Sequence, residues 1–154
     1  MPDIALFEPE IPPNTGNIIR LTANAGVSLH LIKPLGFEPD DKQLKRAGLD
    51  YHSWASLKQY ENFQEFKKAM QQRRILAIST KGQQRYTQVE YRADDVLLLG
   101  PETRGLPIDV LEQFEPQTIL RIPMVPNNRS LNLSNAAAIV LYEAWRQLNF
   151  YNGN

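Results

Sequence analysis

Short apolar runs alternate with longer amphipathic stretches along the chain. Ile4-Ala5-Leu6-Phe7 is continuously apolar, the pattern of a strand covered on both faces. The stiff segment Glu8-Pro9-Glu10-Ile11-Pro12-Pro13 follows as a loop. Asn14 or Thr15 is then placed to cap a helix running to about Ala25, with Gly26 as its stop. Ser28 to Lys33 reads as a second strand. Strand, helix and strand with short joints form a βαβ unit, which makes these strands parallel. Pro34 to Pro39 is a turn, and Asp40 or Asp41 caps a short helix from Lys42 to Ala47 that Gly48 ends. Glu61 to Gln72 is amphipathic, with Phe63, Phe66 and Met70 at core spacing. Ile75 to Ile78 and Val96 to Leu99 are further strands. Pro107 opens a helix at its first position, with Leu111 and Phe114 on one face. Ile119 to Ile122 is the last strand, and a final helix runs from about Ser134 to Leu148. The expectation is an α/β protein, a mostly parallel sheet flanked by helices, in a single domain over residues 1–154.

Composition narrows the chemistry. The 154 residues are one domain's worth, enough to bury a core without disulfides or metal. Lys+Arg and Asp+Glu are 17 each, so no global basic field argues for nucleic acid, although a local patch can. Cysteine is absent, which excludes disulfide scaffolds, thiol nucleophiles and common zinc ribbons. The two histidines, His30 and His52, lack the spacing of a zinc helix, and no metal is expected. The start MPDIALFEPE is no signal peptide, and the longest apolar run, Ala136 to Leu141, is far below a membrane span. The expected location is the cytoplasm, with no membrane partner.

Ligands of open parallel sheets bind beyond the carboxyl ends of the strands. Four such ends are unusual here: the Pro9 to Asn17 loop, Ser79-Thr80-Lys81-Gly82, Gly100-Pro101-Glu102-Thr103-Arg104-Gly105, and residues 123–130. The glycines match neither a dinucleotide fingerprint nor a P-loop. Asn17, Arg20 and Asn24 share a helix face, which is either a solvated stripe or a grip on an anionic group. Gly100 to Gly105 is either a tight turn or a place where backbone approaches a ligand. Capping explains one of Ser130, Asn132, Ser134 and Asn135, but not all four, so that loop reads as a binding loop.

Lys42, Lys45 and Arg46 cluster on the short second helix. Lys81, Arg85, Arg92, Arg104, Arg121 and Arg129 sit in or near the loops just named. If those loops converge, a neutral protein acquires one basic face suited to RNA. The last helix is apolar around most of its circumference. It therefore runs through the domain or packs on a second copy, with Tyr142 and Trp145 as core residues or interface anchors.

Asn14-Thr15-Gly16-Asn17-Ile18-Ile19-Arg20, then Gly100 to Gly105, then Ile122-Pro123-Met124 with Ser130-Leu131-Asn132-Leu133-Ser134-Asn135-Ala136, resemble the three motifs of the SPOUT RNA methyltransferases in order and separation. Within that family the chain looks most like the small tRNA (cytidine/uridine) 2′-O-methyltransferases acting on the wobble nucleotide, position 34. Glu8-Pro9-Glu10-Ile11-Pro12 and Leu49-Asp50-Tyr51-His52 resemble the same subgroup.

The resemblance implies a C-terminal trefoil knot, a homodimer, S-adenosylmethionine as methyl donor with S-adenosylhomocysteine as product, and no accessory RNA-binding domain. Periodicity alone gives no knot, because threaded chains are rare. Carried over by position, the catalytic residues are Arg20, Asn17, Glu102 and Asn132. The cofactor residues are Ile78, Thr80, Gly100, Glu102, Gly105, Ile122, Met124, Ser130, Leu131 and Ser134. Lys42, Lys45, Arg46, Arg104 and Arg129 are the expected contacts to the tRNA anticodon loop, and Tyr142 the expected dimer contact. Two alternatives stay open: 2′-O-methylation at another tRNA or ribosomal RNA site, and a non-catalytic nucleotide- or RNA-binding α/β module.

Overall fold

The structure, a computed structural model, describes residues 1–38, 42–46 and 57–154. Its described elements are β1 (Asp3–Phe7), α1 (Pro12–Ala25), β2 (Leu29–Ile32), α2 (Lys42–Arg46), β3 (Lys58–Tyr60), α3 (Phe63–Ala69) and β4 (Ile75–Ile78), followed by β5 (Gln84–Arg85), β6 (Val96–Leu99), α4 (Ile108–Leu111), a 3₁₀ turn (Pro116–Thr118), β7 (Ile119–Arg121) and α5 (Leu133–Gln147). Seven strands form one sheet in the order β3-β2-β1-β6-β4-β7-β5, and every pairing is parallel.

The continuous apolar strands occupy the middle of the sheet because both of their faces are covered. Ile4, Leu6, Leu76, Leu97, Leu99 and Leu120 point to one side, where Ile18 of α1, Leu44 of α2 and Leu133, Ala137, Val140 and Leu141 of α5 cover them. Ala5, Phe7, Ala77, Val96 and Leu98 point to the other, against Phe63 and Phe66 of α3 and Val110 and Leu111 of α4. The result is a three-layer α/β arrangement.

Several boundaries differ from the sequence expectation. α1 begins at Pro12, and its N-cap residue, Ile11, offers no side-chain cap. Asn14 and Thr15 therefore lie inside the first turns instead of capping it. Gly26 does end α1, in the left-handed conformation at φ 66°. α3 is shorter than expected and is capped by Asn62, whose side chain accepts from the Glu65 amide. Pro107 is the N-cap of α4, one position before the expected one. α5 starts at Leu133 behind Asn132. β3 and β5 had no counterpart in the apolar pattern; both are short, mostly exposed edge strands. The expected caps Asp40 and Asp41, the helix end at Ala47 and Gly48, and the stretch from Leu49 to His52 lie outside the described residues.

Beneath the opposite, amino ends of the strands is a polar cluster. The Asp3 carboxylate accepts from Arg73 Nη1 (2.6 Å), His30 Nε2 (3.1 Å) and the Ser28 amide (2.9 Å). The Tyr60 hydroxyl lies 2.9 Å from His30 Nδ1. Burial alone would raise the Asp3 carboxyl, but the hydrogen bonds from His30, Arg73 and Ser28 outweigh it and hold the group well below the usual carboxylate range. His30 is thus a satisfied interior residue, fully buried.

Candidate active site

The loops leaving β1, β4, β6 and β7 meet at the carboxyl edge of the sheet around a cleft of about 470 Å³. That volume lies in the range of small-molecule sites. Its walls are backbone and apolar side chains, including Ile78, Leu99, Leu106, Ile122, Met124 and Leu131, with a few polar groups at the mouth. Such a lining fits an adenosine-sized group held by van der Waals contact and main-chain hydrogen bonds. Among the described residues, no group of three or more His, Cys, Asp or Glu is arranged to hold a metal ion.

Two loops that are distant in sequence cap one another at the rim. Glu102 accepts from the amides of Glu10 (2.8 Å) and Ile11 (3.1 Å) at the start of α1. α1 has no acidic residue in its own first turn, so Glu102 supplies from another loop both a missing acceptor and a charge matched to the helix dipole. In exchange, the Glu10 carboxylate accepts from the Thr103 amide (3.2 Å) and from the Thr103 hydroxyl (2.7 Å).

A side-chain relay runs from this exchange to the last helix. Asn132 Oδ1 accepts from the Ser134 and Asn135 amides, at 2.9 and 3.3 Å, and so caps α5. Its Nδ2 is thereby left to donate to Asn14 Oδ1 (2.9 Å), and Asn14 Nδ2 donates to Glu102 Oε1 (3.2 Å). Only one orientation of each amide satisfies the whole chain. Asn14 thus joins all three sequence motifs. The sequence offers Asn14 only as a possible cap, and nothing local to it signals partners 88 and 118 residues away.

The glycines of the turn close it on itself, and both also line the cleft. A Cβ at Gly100 would stand 2.3 Å from the Leu106 nitrogen and 2.5 Å from the Gly105 carbonyl carbon, so it would strike the loop's own backbone. Gly105 has φ 66°, and its amide donates to the Pro101 carbonyl (2.9 Å). Both residues are required for the turn to close.

Of the expected cofactor residues, Ile78, Thr80, Gly100, Glu102, Gly105, Ile122, Met124, Ser130 and Leu131 line the cleft. Ser134 does not; its hydroxyl donates to Asn132 Oδ1 (2.7 Å). Of the expected catalytic residues, Glu102 and Asn132 line it, whereas Asn17 and Arg20 lie on the exposed side of α1. Arg20 begins six residues past Asn14, about 9 Å further along the helix. Arg104 lines the cleft but is ion-paired with Glu8, and its Nε lies 3.8 Å from Glu10, so part of its charge is already neutralised. Lys42, Lys45 and Arg46 are exposed on α2, outside the cleft wall, and Arg129 is exposed beside it. Tyr142 is 45% exposed on α5 and packs edge-on against Trp145.

Comparison with known proteins agrees with this geometry. A tRNA (cytidine(34)-2′-O)-methyltransferase from Methylovorus glucosotrophus (strain SIP3-4) is 58% identical over 148 residues, 96% of each chain. A solved structure described as giving insights into the 2-OH methylation of C/U34 on tRNA superposes with a TM-score of 0.88 at 44% identity, covering 96% of both chains. An AdoMet-bound rRNA methyltransferase from Sinorhizobium meliloti superposes with a TM-score of 0.79 at 29% identity, over 94% of this chain and 56% of that one. The profile of the SpoU rRNA Methylase family matches residues 2–142, a span that holds the cleft, the relay and nearly every strand and helix behind them. With fold, site and sequence in agreement along almost its whole length, the chain belongs to the SpoU rRNA Methylase family.

Proposed function

We propose that this protein methylates the ribose 2′-hydroxyl of nucleotide 34 in tRNA, cytidine or uridine, with S-adenosylmethionine as donor. In this reading residues 1–154 act as a single knotted domain, in the cytoplasm, as a homodimer. One observation carries it: the three motif loops converge on one cleft and are locked there by the Glu102–Asn14–Asn132 relay. The relatives similar over 96% of the chain carry this activity in their names.

When bound, the cofactor supplies a methyl group already activated by its sulfonium. The chain's own residues then have two tasks, alignment and charge handling. The apolar wall from Ile78, Leu99, Ile122 and Leu131 excludes water and fixes the pocket's occupant. Glu102, with its oxygens engaged by backbone amides and Asn14, acts as a rigid post that holds the rim. Ser130 supplies a polar group at the mouth, and Asn132, its side chain engaged by the cap and the relay, holds the loop that carries it. Arg20 orients the neighbouring phosphate and stabilises the nascent alkoxide; a guanidinium does not readily give up its own proton. Because Arg20 and Asn17 occupy the exposed side of α1, a second copy against α1 and α5 completes the reacting side. Tyr142 sits on that surface, and Lys42, Lys45, Arg46 and Arg129 supply charge for the anticodon loop.

The test is to offer the purified protein and labelled cofactor to bulk tRNA and to ribosomal RNA, then map the modified ribose. Label at nucleotide 34 of tRNA is the expected result. Label confined to ribosomal RNA, or to a base atom, overturns the assignment.

A further inference from the structure

The edge of the sheet beside the cleft carries an arrangement that the relay and the pocket do not use. β5 is a two-residue edge strand, and its Arg85 pairs in register with Arg121 of β7. Register partners in a parallel ladder project to the same face of the sheet from strands about 4.8 Å apart. Two like charges directly opposite one another destabilise a sheet. Both residues are exposed, and neither forms an ion pair among the described residues.

Arg46, Arg92 and Arg129 are likewise exposed and outside the ion pairs among the described residues, but only Arg85 and Arg121 stand in register on neighbouring strands, and four other arginines are matched to acids. Arg73 is matched to Asp3, Arg74 to Asp95, Arg104 to Glu8 and Arg146 to Glu143. Edge protection accounts for a charge on the edge strand β5 but not for Arg121, because β7 is paired on both sides. The pair is also continuous with the cleft. Lys81 lines the cleft and lies in the turn that leads to β5, and Arg121 is followed directly by the cleft residue Ile122. Gly82 lets that turn lie against β7, since a Cβ there would be 2.8 Å from the Ile119 carbonyl oxygen. The Tyr86 amide then donates to the Arg121 carbonyl (3.0 Å), which fixes the two strands side by side.

We propose that Lys81, Arg85 and Arg121 form a phosphate track that grips the RNA backbone leaving the cleft, using the in-register arginines as a paired clamp. This rests on the tRNA reading of the preceding section. The guanidinium pair, repulsive in the free protein, becomes favourable when phosphodiesters lie across it and counterions are released.

The experiment compares the wild-type protein with the double variants Arg85→Gln/Arg121→Gln and Arg85→Lys/Arg121→Lys. Unmodified tRNA is the ligand, followed by fluorescence anisotropy from 50 mM to 1 M salt, with methylation kinetics and S-adenosylhomocysteine titrations alongside. The Gln variant is expected to lower the salt slope of log Kd by about 2, one unit for each lost phosphate contact. Its affinity falls on the order of tens of fold at 0.1 M salt and converges on wild type near 1 M. KM for tRNA rises with kcat and S-adenosylhomocysteine affinity unchanged, and the Lys variant restores most of the slope. If the wild type methylates nucleotide 34 and the Gln variant keeps the wild-type slope, the track is overturned while the function stands. An unchanged slope with new aggregation assigns the pair to edge protection and equally overturns it. A wild type inactive on tRNA removes the functional reading and the track with it.

Discussion

At the scale of single residues, the two ends of the sheet use networks of polar side chains for opposite purposes. Beyond the carboxyl ends, Glu102, Asn14 and Asn132 hold a rim in place, and Arg20 stands outside it on the exposed side of α1. Arg20→Ala is therefore expected to keep the fold and the affinity for S-adenosylhomocysteine while losing about a hundredfold in methyl transfer, the worth of one charge-stabilising donor. Calorimetry and single-turnover rates on the same sample check this, and near-normal turnover would remove Arg20 from the mechanism. At the amino ends, Asp3 is the acceptor for Arg73, His30 and the Ser28 amide. Its folded carboxyl titrates below the unfolded one, so its contribution is complete above the ordinary aspartate value near 3.9 and is lost as pH falls beneath it. Asp3→Ala should cost about 3 kcal/mol at pH 7, because it leaves Arg73 and His30 without their acceptor. Urea unfolding of both proteins at falling pH should show that difference shrinking through the acid range. A difference independent of pH would assign the loss to packing.

Among the elements, the turn between β6 and α4 shows how much a short loop can demand. Gly100→Val places its side chain against the nitrogen of Leu106, and no rotamer relieves a clash that begins at Cβ. The turn then cannot close, Glu102 leaves the start of α1, and the cleft loses one wall. The expected result is no measurable S-adenosylhomocysteine binding by calorimetry, with a thermal transition lowered by several degrees. Retained binding would show that the turn is not part of the pocket.

This element also shows what the sequence makes legible. The buried strands were readable because four apolar residues in a row, at Ile4 to Phe7 and Val96 to Leu99, leave no side for water. β3 and β5 were not, since Lys58-Gln59-Tyr60 and Gln84-Arg85 carry no apolar signal and become strands only because β2 and β7 offer them an edge. The motif loops announced the site, and nine of the ten residues expected around the cofactor line the cleft. The partners within that site were hidden, because a carboxylate that caps a helix from about ninety residues away leaves no local trace. The clash of Gly100 with its own loop was hidden for the same reason: spacing marks a close approach but not what is approached.

For the whole molecule, α5 is the element that bears most directly on assembly. Its inner side buries Leu133, Ala137, Val140, Leu141 and Ala144, while Tyr142 stays 45% exposed and α1 lies alongside. With Asn17 and Arg20 exposed on α1, this is the surface the proposed homodimer would use. Light scattering at micromolar concentration should give twice the mass of the 17.6 kDa chain, and Tyr142→Ala should shift that mass toward the monomer with a parallel fall in activity. A fully active monomer would contradict the assembly.

The strand order carries a consequence for how the protein comes into being. β1 is sandwiched between β2, its near neighbour in sequence, and β6, so Asp3 pairs with Val96. As the chain leaves the ribosome, the first βαβ unit must wait with one flank of β1 unpaired until residues 96–99 emerge. The central ladder is thus built from contacts of long sequence separation, the kind whose loop-closure entropy must be met before any pairing rewards it. Slow, millisecond-to-second maturation follows, with an unpaired apolar strand exposed during synthesis and a corresponding need for protection from neighbouring nascent chains.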